Sequence, residues 1–196
     1  MIIHEKKTIF IHIPKTAGSS IETYCQCNFG VHTIWGKRHK NIEEYKKNFF
    51  KEYNSYRKFT VVRNPYDRII SWYFFLKQTI DIELDIKKKI KMENDFVNTV
   101  EDWIKDPYGN KFTCKRVKKK HYILDTQCSF IDETVDILKF ENLNKELNKF
   151  FNKEIKLPTI NKSNHKHYLK YYNQETLDIV YERYKEDFER LNYKKL

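Results

Sequence analysis

TIFIHIPKTAGSS, running from Thr8 to Ser20, decides how the rest of this chain is read. Ile9, Phe10, Ile11 and Ile13 make an apolar, largely β-branched run that predicts a buried strand over 8–13. Pro14 ends it, and Gly18, Ser19 and Ser20 open a helix with Ile21, Tyr24 and Cys25 on one face. A strand that turns tightly into a helix aims backbone N–H groups and the positive end of the helix dipole at one spot. Lys15 adds a full charge there, and Thr16, Ser19 and Ser20 add hydroxyls. Such a turn suits a phosphate-like anion, although an ordinary strand–turn–helix with a surface lysine reads the same way. In the usual nucleotide loop the glycines precede Lys-Ser/Thr. Here Lys15-Thr16 precedes Gly18, which argues against a standard ATPase or GTPase.

A second stretch repeats the pattern. Phe59 to Val62 predicts another buried strand, and Arg63-Asn64-Pro65-Tyr66-Asp67-Arg68 follows at once. Asn64 is a good N-cap, Pro65 suits the first helical position, and Asp67 stands where a capping-box acid belongs. Tyr66, Ile69, Ile70, Tyr73 and Phe74 then form an apolar stripe at helical spacing. Ser71 lies about two turns in, on roughly the face of Asn64. Arg63 and Ser71 can therefore converge on one oxyanion, with a forked permanent charge and a compact hydroxyl. The local pattern equally allows Arg63 to pair with a carboxylate and Ser71 to face a neighbouring turn.

PKTAGSS followed by VVRNPYDRIIS resembles the carbohydrate sulfotransferases that use 3′-phosphoadenosine 5′-phosphosulfate (PAPS). These are the membrane-anchored Golgi families of animals and their shorter bacterial relatives. The likeness continues in VDILKFENL (Val135 to Leu143), LPTINKS (Leu157 to Ser163) and the final YYNQETLDIVYERYKEDFERLNY, and is weakest over 77–121. It implies a three-layer, P-loop-like α/β fold with a central parallel sheet, and a single sulfotransferase domain over 1–196. It also implies that Lys15, Thr16, Ala17, Gly18, Ser19 and Ser20 hold the 5′-phosphosulfate and that Arg63 and Ser71 hold the 3′-phosphate. By the same resemblance, Lys162 and Ser163 close over the nucleotide.

Sulfuryl transfer shares the physics of in-line phosphoryl transfer, so positioning and electrostatics carry it. Lys15 is expected to neutralise the bridging oxygen as adenosine 3′,5′-bisphosphate (PAP) leaves, and Lys and Arg make a metal unnecessary. A sugar hydroxyl needs a general base, and His suits the task. His39 precedes Asn41-Ile42-Glu43-Glu44-Tyr45, a position resembling the catalytic histidine of uronosyl 2-O-sulfotransferases. His32 is the reserve and Glu44 the remaining alternative, whereas His12, inside the strand pattern, reads as a core residue.

The rest of the chain fills in around these motifs. Asn41 predicts a helix through Phe50 with Ile42, Tyr45, Phe49 and Phe50 inward, and a further strand is expected near 29–34. A helix over 95–105 and a third strand over 135–140 follow, with Asn142 opening a helix that buries Leu143, Leu147, Phe150 and Phe151. Glu141 is either a ligand group at the sheet's carboxyl edge or a first-turn acid of that helix. A last helix spans 174–191, its apolar stripe being core.

The 196 residues, with 40% hydrophobic and 16% aromatic content, are enough for one well-cored domain, and four Gly and four Pro leave little room for linkers. A net charge of +11 attracts polyanions: nucleic acid, acidic polysaccharide, anionic membrane or a charged nucleotide. The basic runs over 87–91 and 115–120 read as a solvated face or as contacts to an acidic acceptor chain. Few aromatics interleave them and no nucleic-acid-reading module is recognisable, which argues against a nucleic-acid partner; the resemblance implies a carbohydrate acceptor, acidic or neutral and foremost a polysaccharide. A nucleotide or sugar kinase and a non-enzymatic polyanion-binding protein are the competing classes. With no signal peptide and no apolar run near ~18 residues, the expected location is cytoplasmic, or the Golgi lumen if an anchor has been removed. Cys25, Cys27, Cys114 and Cys128 lack zinc-ligand spacing, and a Cys114–Cys128 disulfide would require export. Oligomeric state is not legible.

Overall fold

Four strands form one sheet in chain order: β1 (Ile2–Ile3), β2 (Thr8–Ile11), β3 (Arg57–Val62) and β4 (Val135–Lys139). This computed structural model describes residues 1–30, 39–81, 99–107 and 124–196. β2, β3 and β4 run parallel, with Phe10 beside Phe59 and Thr60 beside Ile137. The expected parallel sheet is therefore present, with an addition. Two residues of β1 pair antiparallel to β2, Ile2 against Ile9, as an edge too short for sequence periodicity to reveal.

The described helices are α1 (Gly18–Phe29), α2 (Ile42–Asn48), α3 (Phe50–Ser55), α4 (Pro65–Asp81), α5 (Val100–Lys105), α6 (Leu143–Phe151), α7 (Gln174–Arg183) and α8 (Lys185–Arg190). The expected helix over 41–50 breaks at Phe49, whose φ of −140° leaves helical space, and Phe50 is 70% exposed instead of inward. The helix expected over 174–191 likewise divides at Tyr184, with φ −116° and ψ 25°. Phe29, placed at the start of an expected strand, is instead the last residue of α1, which closes on Gly30 in the left-handed conformation. His32, positions 31–34 of that strand, both basic runs, Cys114 and the beginning of the 95–105 helix lie outside the described residues.

The chain divides into two compact units. Residues 1–64 and 126–161 make the first, and residues 65–125 and 162–196 the second. In the first, one face of the sheet (Phe10, Phe59, Val61, Leu138) packs on Ile21, Tyr24, Cys25 and Phe29 of α1 and on Leu147 of α6. Ile9, Ile11, Thr60 and Val62, on the other face, are fully buried too, as strands of a parallel sheet require. In the second, the predicted stripe of α4 (Tyr66, Ile69, Ile70, Tyr73) packs with Trp103 and Ile104 of α5, Val180 of α7 and Phe188 of α8. Among the described residues, no helix is long and apolar enough to cross a membrane.

Candidate active site

Beyond β2 the backbone turns through an unusual path. Lys15 and Ala17 both adopt positive φ, 69° and 67°. An L-residue with a side chain pays roughly 1–2 kcal/mol for each such step. Alternating hand along a turn swings consecutive N–H groups to one side, which makes a concave anion cradle. Ala17 is the N-cap of α1, so Gly18 and Ser19, as its first residues, have no earlier turn to donate into. The amide of Ser20 is different. It bonds the Ala17 carbonyl at 3.0 Å and so belongs to the helix rather than to the cradle.

Hydroxyls in the turn have distinct roles. Thr16 is fully buried and donates to the Ile13 carbonyl at 2.9 Å, bracing the turn from inside. Ser20 Oγ accepts the Ile160 N–H at 3.2 Å, tying the start of α1 to the segment after α6. Ser19 is half-buried. Gly18 is required by space rather than by φ: a Cβ there would stand 2.0 Å from Cδ2 and Nε2 of His12.

The arginine turn is built from the same unit. Arg63 follows β3 directly, and its guanidinium donates to the Lys15 carbonyl at 3.2 Å. The two motif residues that the sequence singled out are thus in contact. Burial, and behind it the Arg63 charge, pull the Lys15 ammonium down from 10.5 to about 7. The Arg63 plane is also stacked 4.2 Å from the Phe140 ring centroid. Its backbone is held by Gln127, whose amide accepts the Arg63 N–H and donates to the Arg63 carbonyl, both at 2.9 Å. Gln127, fully buried, thereby imitates one more rung of the sheet past the end of β3. Glu141 accepts the Asn64 N–H at 2.8 Å, so this acid, two residues beyond β4, caps the arginine turn, which neither sequence reading foresaw.

His39 donates from Nδ1 to the His12 carbonyl at 3.0 Å, since a carbonyl can only accept. Its ring stands edge-on to that of His12, 4.4 Å between centroids. His12 is buried, as expected of a core residue, with Nδ1 2.8 Å from Glu22 Oε1.

A profile of the sulfotransferase family matches residues 1–104, just over half of the 196-residue chain. The chain belongs to the sulfotransferase family. No curated protein and no solved structure matches it. The matched region includes both turns and His39 and stops before Gln127, Phe140 and Glu141. The second unit carries the remaining expected ligands. Ser71 is buried in α4 with its hydroxyl 3.2 Å from that of Ser163, and Lys162 is exposed beside it in sequence.

Gln127, Phe140 and the His12–Glu22 pair are the parts that residue patterns did not supply. For Glu22 a signal existed. It shares a helical face with Gly18, Cys25 and Phe29, all of them buried, and a carboxylate in a core position demands a partner. For Gln127 there was none, because a side chain mimicking a strand leaves no periodicity.

Proposed function

We propose that this member of the family moves the sulfuryl group of PAPS to a hydroxyl of a carbohydrate acceptor. The observation that carries the reading is the contact between Arg63 and the strained turn bearing Lys15. Two cations are held together around a concave run of amides, at a cost set first by burial and then by the Arg63 charge, which lowers the lysine to about 7. A multiply charged phosphate ester relieves that cost on binding. A neutral ligand would not.

In this reading the amides of Ala17, Gly18 and Ser19 take the 5′-phosphosulfate, with Ser20 contributing its hydroxyl proton. Thr16 keeps the turn in shape. Lys15, protonated once the anion is bound, stabilises charge on the bridging oxygen as PAP leaves. Arg63 serves the 3′-phosphate, and Ser71, Lys162 and Ser163 are proposed as further nucleotide ligands. His39 is the base: with its proton on Nδ1, Nε2 carries the lone pair that accepts the acceptor hydroxyl's proton as its oxygen attacks sulfur. The net charge of +11 favours an acidic acceptor chain.

The direct test is incubation of the full chain with [35S]PAPS and a panel of chemically desulfated heparin, chondroitin and neutral glucans. The expected result is labelled polysaccharide from at least one acceptor, and His39→Ala lowering transfer about a hundredfold or more. Transfer of phosphate from [γ-32P]ATP instead, with none from PAPS, would contradict the reading.

A further inference from the structure

His12 sits one residue beyond the last residue of β2, Ile11, where the sheet's own hydrogen-bond ladder has stopped. Something other than the ladder must fix it. Its side chain is only 4% exposed, and its Nδ1–H donates to Glu22 Oε1 at 2.8 Å, Glu22 being 3% exposed. The ring is stacked on Phe10, 5.7 Å between centroids, and lies against Gly18 so closely that a methyl group would overlap it. A buried carboxylate–imidazole pair costs several kcal/mol of desolvation, so a fold with no other use for the position would do as well with apolar residues.

We propose that Glu22 and His12 are positioning residues that hold His39 in one orientation and one tautomer. Two features of His12 bear on His39 at once. The main-chain carbonyl takes the His39 Nδ1–H at 3.0 Å, and the imidazole walls the His39 ring at 4.4 Å. Both move if His12 moves, and the side-chain anchor to Glu22 is what ties His12 to the core of α1. Rigidity of the helix is thereby passed through one hydrogen bond to the strand end, and through a second to the histidine of the connector. Holding the proton on Nδ1 leaves Nε2 as the basic nitrogen, the form a general base needs. The consequence for turnover rests on the reading of His39 as that base; the geometry does not.

The experiment is 15N NMR of histidine side chains in the full chain without ligand, combined with [35S]PAPS transfer to chemically desulfated heparin. The wild type is expected to show a single Nδ1–H tautomer for His39. Glu22→Ala should give a mixture of both tautomers, and Glu22→Gln should restore the single form, because its amide oxygen accepts the same N–H. In transfer, Glu22→Ala should lower kcat roughly tenfold or more with KM for PAPS changed less than about twofold, and Glu22→Gln should recover most of it. Should Glu22→Ala fail to fold, Glu22→Asp, one methylene too short to reach His12, replaces it. An unchanged His39 signal in these variants, or a Glu22→Gln variant no better than Glu22→Ala, overturns the inference. A His39→Ala enzyme with full turnover would instead remove the base reading and leave the NMR result standing.

Discussion

The lysine turn and the arginine turn solve the same problem in opposite ways. Both follow a buried parallel strand and both come from the same compact unit. The lysine turn is held by strain and close fit: two side-chain-bearing residues at positive φ, a buried threonine folded back on Ile13, and a glycine with an imidazole against it. The arginine turn is held by struts. Gln127 takes both backbone groups of Arg63, Glu141 takes the next N–H, and Phe140 lies under the guanidinium. In the proposed role, a turn that offers its own amides to a ligand cannot spend them on braces, so its shape must come from the chain itself. A turn that offers one side chain can be braced everywhere else.

That contrast can be broken experimentally. The largest effect is expected from Lys15→Met, which removes the charge at the lysine turn without emptying the space. Turnover should fall about a thousandfold, read by [35S] transfer, while the melting temperature holds or rises because a buried cation has gone. Gln127→Leu attacks the struts. It leaves the Arg63 N–H and C=O buried without their partner, at about 1–3 kcal/mol each, and should lower stability in urea titration together with PAP affinity.

The pH dependence separates the turns further. Lys15 titrates near 7 in the folded protein against 10.5 in the unfolded chain, so between those values the unfolded state holds more protons. Stability of the ligand-free protein should therefore rise with pH across that window. PAP favours the ammonium form, so its affinity should fall over the same window, by up to about tenfold per pH unit. Calorimetry of Lys15→Met should show this slope gone. The smallest effect belongs to Ala17→Gly. Relieving one positive-φ residue should stabilise the free protein by about 1 kcal/mol or less and loosen the cradle, with a modest loss of PAP affinity.

Much of this was written locally in the chain. The apolar run before Pro14 gives β2, and Asn41 caps α2 as expected, while Glu44, read from sequence as an alternative base, closes the capping box with it. The stripe from Tyr66 to Tyr73 is the core of the second unit. What could not be read is held by distant partners. Gln127 reaches Arg63 across 64 positions, and Glu141 reaches Asn64 across 77. Such bonds have no period and no neighbouring signal. The breaks at Phe49 and Tyr184 were not legible either, since the apolar spacing runs straight through both. Thr16 shows a subtler limit: sequence supplies a hydroxyl at the cradle, but its proton goes to Ile13.

The central claim is that the Lys15 and Arg63 turns together recognise an adenine nucleotide carrying phosphate at both ends of its ribose. Isothermal titration of the full chain with PAP, with 5′-AMP and with ATP–Mg²⁺ tests it most directly. The account predicts PAP binding about a hundredfold tighter than 5′-AMP, with Arg63→Met erasing most of that difference. Equal affinity for PAP and 5′-AMP, or a preference for ATP–Mg²⁺, would contradict it.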